Sequence, residues 1–510
     1  MMDKQVGSAP IPPFAHPTAE NTAAASSGGA RPFNESVTHI LERLGVEVRE
    51  LVSDSRKAGP GAVFAAYPGE TRDGRDFIAQ AVANRADGVL WEADHYVWDP
   101  ALGVANAGVA GLKNRLGEIA AHVYGDPSRF LHMVGITGTN GKTSVAHWVA
   151  QAMTRLGRKT AVVGTVGNGF PGSLTPALNT TPDPIELQQR LAHYRQQGAM
   201  GCAMEVSSHG LVQGRVNSTR FDVAVLTNLS RDHLDYHGDM DNYAAAKARL
   251  FNWPGLQWVV LNVDDEFGRR LESDSRTARV AGYGFHRGAV VGESLRLSQA
   301  GLHLKVRTDW GDGEIDAPLL GRFNAANLLA VLATLLVSDV RLADACAALA
   351  HITPPPGRMQ MLGGGAHPLV VVDYAHTPDA LEKALAALRE IVGGGRLVCV
   401  FGCGGNRDKG KRPLMGTAAS KGADEVWITS DNPRNEEPRR IIDDILDGTN
   451  GKPRVEPDRA RAIFEAIGNA HQGDVVLIAG KGHEDYQEIA GERQPFSDIA
   501  VARKALEAWT

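Results

Sequence analysis

An apolar run that ends in a glycine-rich turn and reopens as a helical pattern constrains this chain more than any other feature. It reads V-G-I-T-G-T-N-G-K-T-S, from Val134 to Ser144. In such a strand–loop–helix unit, the small residues Gly138, Thr139, Asn140 and Gly141 let successive backbone N–H groups close around a phosphate. Lys142 reaches the outer phosphates as a point charge, the Thr143 hydroxyl suits Mg²⁺, and Ser144 opens the helix. The spacing departs from the usual phosphate loop, because Gly135 lies six residues before Gly141 and the five-residue step lands on Ile136.

A chain of 510 residues exceeds what one hydrophobic core organises, and three domains are expected. Hydrophobic residues make up 43% and charged residues 22%, and a formal net charge of −6 supplies no field for nucleic acid or an anionic membrane. Small molecules are the expected partners. Cys202, Cys346, Cys399 and Cys403 show no C-x-x-C spacing and fit a reduced cytoplasm, as core or loop thiols. No apolar run reaches membrane-span length and no signal peptide opens the chain, so a soluble cytoplasmic protein is expected; a monomer is its expected state.

Residues 1–30, rich in Ala, Pro, Ser and Gly, read as a disordered extension. From 31 to 128, strings such as A-V-F-A-A-Y and G-V-L-W alternate with helical F-I-A-Q-A-V-A-N, which predicts a small α/β domain. From 129 to 356, strand-like A-V-V-G, C-A-M-E-V, V-A-V-L-T and W-V-V-L-N follow the phosphate loop with the rhythm of a mostly parallel sheet. The run Pro354–Pro356 then punctuates the chain. From 357 to 510, P-L-V-V-V-D-Y-A, R-L-V-C-V-F, E-V-W-I-T and D-V-V-L-I-A predict a Rossmann-like α/β domain.

Phosphate binding alone fits a switch, a motor or a kinase, so other residues must decide the class. In M-E-V-S-S-H-G-L-V-Q-G-R, Met204 to Arg215, Glu205 stands at a strand end, where a carboxylate can hold Mg²⁺; Ser207, His209, Gln213 and Arg215 follow. Blandly read, Glu205 is a surface acid and His209 a capping or core histidine. The string T-N-L-S-R-D-H-L-D-Y-H-G at Thr227 to Gly238 shifts the balance toward function. His233 and His237 have i, i+4 spacing, but H-L-D-Y-H lacks the glutamate of a zinc protease and zinc is rejected. In G-C-G-G-N-R the third domain has a glycine-rich loop that does not fit G-x-G-x-x-G, which disfavours a dinucleotide site. On its own, Lys247 reads as a solvated helix residue, and Asn324 as the N-cap of the helix in L-L-G-R-F-N-A-A-N.

The order T-G-T-N-G-K-T, E-V-S-S-H-G-L, T-N-L-S-R-D-H-L-D-Y-H-G and then A-A-K closely resembles the Mur ligases, ATP-dependent amide-forming enzymes of bacterial cell-wall synthesis, from about residue 35 to the C-terminus. The loop version is shared with folylpolyglutamate synthases, which D-N-P-R and S-S-H-G-L disfavour. The resemblance implies that Lys142, Glu205, His209, His233 and a CO₂-carbamylated Lys247 are catalytic. It further implies that Thr143 and Glu205 serve one Mg²⁺, and that His233 and the carbamate serve a second. A carbamate can ligate a cation where an ammonium cannot. ATP, the co-substrate, is implied to meet residues 138–144, Asn324, Arg358, Asp373 and His376.

The same resemblance assigns a uridine-linked muramoyl dipeptide to Ser53, Ser55, Glu70, Thr71, Arg72, Asn179, Thr180, Thr181, Ser207, Gln213 and Arg215. Among the tripeptide-forming members, D-N-P-R at Asp431, Asn432, Pro433 and Arg434 is the version associated with meso-diaminopimelate; Arg407, Gly480 and Glu484 match the remaining positions of that amino-acid site. The chemistry agrees: diaminopimelate carries a second carboxylate that Arg434 can clamp bidentately, and lysine does not. The implied reaction joins diaminopimelate to the D-glutamate of the dipeptide through an acyl phosphate. A lysine-adding ligase and a nucleotide-dependent switch are the rival readings.

Overall fold

The computed structural model describes residues 35–70, 72–274 and 278–509, so the extension expected at 1–30 lies outside the described residues. The chain divides into two compact units. One takes in the chain up to Lys142, then Met153–Leu261 and Asp265–Val280; the other takes in Thr143–Ala152, Asn262–Asp264 and the chain from Ala281 on.

The first unit opens with a parallel four-stranded sheet in the order β1 (Glu50–Val52), β2 (Ala62–Ala66), β3 (Gly88–Glu92), β4 (Ala105–Val109). Every residue of β2 is buried, as befits a strand covered on both faces. The helices Val37–Leu44 and Leu112–Val123 pack Ile40, Leu116 and Ile119 against Val63, Leu90 and Ala107 on one side. Ile78 and Ala81 meet Phe64 and Val89 on the other.

The rest of the unit is built on β5 (His132–Thr137), β6 (Thr160–Val163), β7 (Asn168–Phe170), β8 (Ser173–Thr175), β9 (Gly201–Glu205), β10 (Val223–Leu226) and β11 (Trp258–Asn262), in the order β11-β10-β5-β9-β6-β7-β8. The strands from β11 to β6 pair in parallel, and β7 and β8 turn back antiparallel. Central β5 is flanked by β10 and β9. The turns leaving β5, β9 and β10 therefore open at one edge, where parallel strands end together.

In the second unit β12 (Arg279–Gly284) leads into β13 (Val290–Ser298), β14 (Gly301–Thr308) and β15 (Gly311–Ala317), an antiparallel meander. The alternation L-H-L-K-V-R in β14 carries this signal, since Leu302, Leu304 and Val306 are buried while Lys305 and Arg307 face water. Helix Arg322–Val337 is apolar all round and buried from Ala325 nearly throughout. A second sheet follows, with β16 (Gln360–Gly363), β17 (Leu369–Asp373), β18 (Leu397–Phe401), β19 (Glu425–Ile428), β20 (Arg454–Val455) and β21 (Val475–Ala479) in the order β16-β17-β21-β18-β19-β20. It is parallel apart from β16. Its two faces are covered by separate apolar clusters, centred on Leu381, Leu385 and Ile442 on one side and on Ile463, Ile467 and Ala502 on the other. The Pro354–Pro356 run lies between these two parts. Just before it Thr353 is clasped by the helix Lys142–Arg155: Trp148 Nε1 and Gln151 Nε2 both donate to its carbonyl, and its own N–H donates to Gln151 Oε1 at 2.9 Å.

Candidate functional site

The turn after β5 is shaped by two glycines. Gly138 has φ +143°, and a Cβ there would collide with the Thr227 hydroxyl; Gly141 has φ +87°. The turn is cross-braced to the one after β10. Thr139 N–H donates to the Asn228 carbonyl at 2.9 Å, Asn140 N–H to Asn228 Oδ1 at 3.0 Å, and Thr227 Oγ1 to the Asn140 carbonyl at 2.6 Å. Ser230 N–H bonds Thr139 Oγ1, which also meets the Tyr243 hydroxyl. The T-N-L-S string thus shapes the phosphate loop. Thr143 and Ser144 are buried in the first turn of the helix Lys142–Arg155.

Two lysine ammonium groups converge on this loop. Lys142 Nζ donates to the carbonyls of Gly138 and Thr139, both at 2.8 Å, and Lys247 Nζ donates to the same Gly138 oxygen at 3.0 Å. Lys247, on the helix Met240–Ala248, is only 1% exposed, which overturns its reading as a solvated residue. The helix turns this position inward against Tyr243, and spacing alone does not reveal it. Burial first, and the charge of Lys142 second, hold the Lys247 amine well below the ordinary lysine range.

At the end of β9, Glu205 is fully buried. Its oxygens accept Thr165 N–H at 2.8 Å and Thr165 Oγ1 at 3.1 Å, and Thr165 Oγ1 in turn meets Thr180 Oγ1 at 2.9 Å. The turn after β9 continues into a second network: Thr181 Oγ1 donates to the Glu205 carbonyl and Arg215 Nη1 to the Thr181 carbonyl, while Ser207 caps the helix Ser208–Val212 through Gly210 N–H. Gln213 bridges Arg215 and Glu70. His209 lies edge-on to His233, with ring centroids 5.0 Å apart, and is packed on Tyr236 and His237. Burial depresses both His209 and His233, helped in His209 by the charge of His233 and in His233 by Lys142 and Lys247. His233 sits in the left-handed region at φ +52°.

Ser53 lines a cleft of about 240 Å³ between β1 and the start of the helix Pro184–Gln196, with Asp54, Lys57, Asp183 and Arg190 around it. Ser55 bonds Gln80, and Asp54 caps the short turn Ser55–Lys57. Arg72 and Asn179 are exposed, and Thr71 lies outside the described residues.

In the second unit Asn324 is not the N-cap. Gly321 takes that place, and Asn324, one turn in, donates Nδ2 to the Leu320 carbonyl at 2.9 Å. At the end of β17, Asp373 accepts Met359 N–H at 2.8 Å, its carboxyl pushed up by burial against the pull of Arg358. Arg358 stacks over the Tyr374 ring, and His376 bonds the Tyr374 carbonyl. Two residues that the motifs do not single out join them. His147 and His483 have buried ring nitrogens, Nε2 and Nδ1, without hydrogen-bond partners, as does Arg358 Nε. Burial, then the charges of Arg358 and His483, bring His147 down to about 4.

The loop after β19 carries Asp431, Asn432, Pro433 and Arg434. Arg434, at φ +53°, exchanges backbone bonds with Glu488 and Ala490, and its Nη1 donates to the Gly405 carbonyl at 2.7 Å while Nε lies 3.5 Å from Glu488. Arg407 is exposed beside it, across Gly404. Asn432 Nδ2 donates to Glu484 Oε2 at 2.8 Å, and at Gly480 a Cβ would press on Asp431 Oδ2. The amino-acid residues expected from sequence are therefore gathered at the ends of β18, β19 and β21. All four cysteines are free thiols, three of them buried.

Three family models match successive stretches: the Mur ligase family catalytic domain at residues 47–124, the Mur ligase middle domain at 136–335 and the Mur ligase glutamate ligase domain at 357–482. A relative from Chromobacterium violaceum, named UDP-N-acetylmuramoyl-L-alanyl-D-glutamate–2,6-diaminopimelate ligase, is 56% identical over 475 residues, 92% of this chain and 96% of its own length. The chain belongs to the Mur ligase family. A Neisseria meningitidis Mur ligase of the same name is 52% identical, covering 93% and 98% of the two chains. A solved structure of a Mur ligase with that name superposes with a TM-score of 0.68 at 38% identity, over 90% of this chain and 95% of the other. The fold is shared more widely: a Thermotoga maritima Mur ligase solved with ADP has a TM-score of 0.63 at 20% identity, over 90% and 97%. This is the three-domain α/β architecture of the Mur ligases, in an ATP-dependent amide-forming family.

Proposed function

We propose that the chain uses ATP to join meso-2,6-diaminopimelate to the D-glutamate of UDP-N-acetylmuramoyl-L-alanyl-D-glutamate, a step in peptidoglycan precursor synthesis. The observation that carries this reading is the 56% identity, across 92% of the chain, to a ligase named for that reaction. The domain limits that go with it are 31–128 for the uridine-linked substrate, 129–356 for ATP and 357–510 for the amino acid. All substrates are small and polar, in keeping with a cytoplasmic monomer.

The side-chain carboxylate of the D-glutamate attacks the γ-phosphorus of ATP, giving an acyl phosphate and ADP. The amine of diaminopimelate then attacks the acyl carbon, forming the amide and expelling inorganic phosphate. Two anions must meet in the first step, and the chain's own cations supply the offset. Lys142 swings from the Gly138 and Thr139 carbonyls to the outer phosphates, and the N–H groups of residues 138–144 cradle the rest. Asn324, Arg358, Asp373 and His376 are the assigned contacts to the adenosine end. Ser53, Ser55, Glu70, Thr71, Arg72, Asn179–Thr181, Ser207, Gln213 and Arg215 are those to the uridine-linked dipeptide.

Lys247 is the carbamylation site. Two ammonium groups on the one Gly138 oxygen repel each other, so the buried Lys247 amine is disposed to lose its proton and react as a nucleophile with CO₂. The Thr143 hydroxyl and the Glu205 carboxylate would serve one Mg²⁺, and His233 and the carbamate a second, oxygen-rich donors for a cation that would neutralise phosphate charge when bound; His209 packs against His233 and holds its ring. Arg407 and Arg434 receive carboxylates of the amino acid, and Asp431 and Glu484 its ammonium groups, with Asn432 Nδ2 holding Glu484 and Pro433 and Gly480 shaping the backbone.

Incubation of the enzyme with the uridine-linked dipeptide, ATP and either meso-diaminopimelate or lysine, read by product mass, tests the reading. Diaminopimelate tripeptide is the expected product. Lysine tripeptide would make it a lysine-adding ligase, and ATP hydrolysis without an amide would overturn the ligase reading.

A further inference from the structure

Lys481, in the loop after β21, is fully buried yet has no part in the assignments above. Its Nζ donates to Asn432 Oδ1 and to Glu484 Oε2, both at 2.9 Å, and lies 3.8 Å from Asp431 Oδ1. Asn432 Oδ1 also accepts Glu488 N–H at 3.0 Å, so both of its acceptor directions are filled from inside the protein. That fixes the amide: the flipped orientation would put an NH₂ group against an ammonium and a backbone N–H. Asn432 Nδ2 is thereby aimed at Glu484 Oε2. Glu484 receives both internal donors on that one oxygen, and among the described residues no protein donor reaches Oε1. A buried ammonium is stable only when paired, and here its partners are three residues of the amino-acid cluster.

We propose that Lys481 is the positioning residue of the amino-acid site. It holds Glu484 with Oε1 turned to the ligand and locks the Asn432 amide behind it, so that Glu484 Oε1 receives an ammonium group of the incoming amino acid. The inference rests on the assignment of Asn432 and Glu484 to that amino acid. Lys481 itself touches neither substrate nor nucleotide; it acts through its two partners.

The test is steady-state kinetics of Lys481→Met and Lys481→Arg, with diaminopimelate and ATP varied separately so that each KM is read apart from kcat. Without the ammonium, Glu484 still faces Asp431, Tyr374 and Tyr486, with His483 and Arg459 the remaining groups that carry or can take positive charge around it. In Lys481→Met, KM for diaminopimelate should rise at least thirtyfold, while KM for ATP should stay within twofold. Lys481→Arg keeps the charge but not the two-point hold. Its KM for diaminopimelate should rise at least fivefold, less than in the methionine variant, and it carries the test if the methionine variant does not fold. An unchanged diaminopimelate KM in a folded variant, or equal rises in both KM values, would overturn the inference. Failure of the wild-type enzyme to make the diaminopimelate tripeptide would instead sink the assignment on which it rests.

Discussion

Acid should unfold this protein in part through one side chain, His147. It lies on the helix that starts at Lys142, is 3% exposed, and its Nε2 has no hydrogen-bond partner. Folded, it titrates at about 4; unfolded, near 6.5. Between those values the unfolded chain binds a proton that the folded one refuses. The contribution of His147 to stability is therefore complete above about pH 6.5 and is lost as the pH falls toward 4. At 1.36 kcal/mol per pKa unit the full loss is about 3 kcal/mol, a large part of the 5–15 kcal/mol that typically separates folded from unfolded. Urea unfolding of wild type and His147→Gln at pH 7.5 and pH 4.5 isolates the effect, because glutamine is polar but does not titrate. His209, His233, His237, His376 and His483 are also depressed by burial, but they are common to both proteins and cancel in the comparison. Wild type should lose about 2–3 kcal/mol more than the variant between the two pH values. Parallel losses would show that His147 is not held neutral by its surroundings, and the reasoning would fail.

Lys142→Ala should abolish amide formation while leaving the melting temperature nearly unchanged, because the half-buried side chain bonds carbonyls of its own loop; wild-type turnover would remove the phosphate-cradle assignment. Lys247→Ala should be nearly inactive, unrescued by bicarbonate and partly rescued by acetate, and native mass spectrometry of the wild type should show a labile CO₂ adduct. Full activity, or no adduct, counts against carbamylation. Arg434→Ala should raise KM for diaminopimelate and leave KM for ATP alone. Since the guanidinium is already engaged by Gly405 and Glu488, the cost belongs near the low end of the 2–5 kcal/mol for breaking such a pair, about thirtyfold. Retained full preference for diaminopimelate over lysine would refute that specificity role.

Strands with continuous apolar runs were legible in the sequence because burial on both faces leaves no other composition: A-V-F-A-A became β2 and D-V-V-L-I-A became β21. The meander β13–β15 was not expected, since its alternation is broken by a bulge between Gly292 and Ser294 and interleaved with charges. Loop shape was legible where the backbone demands glycine, as at Gly138 and Gly141 with φ +143° and +87°. It failed where the meaning of a residue is set by what packs over it. Lys247 looks like any helix lysine until Tyr243 and the Gly138 carbonyl close around it. His147 and Lys481 escaped for the same reason: nothing in V-A-H-W or A-G-K-G-H-E states that these side chains point inward. Asn324 was misread by one turn because Gly321, with φ +86°, makes the cap instead.

The clasp on Thr353 bears on how the chain can be cut. Trp148 Nε1, Gln151 Nε2 and Gln151 Oε1 all spend their bonds on that one residue, immediately ahead of three prolines. A shortened version ending at Ile352 would strip the buried indole of its acceptor and leave the Gln151 amide without its partner. One ending after Pro356 would keep both and close on a stretch of backbone already stiffened by its pyrrolidine rings. For anyone expressing the nucleotide-binding portion alone, the difference of four residues decides whether the helix behind the phosphate loop retains its brace.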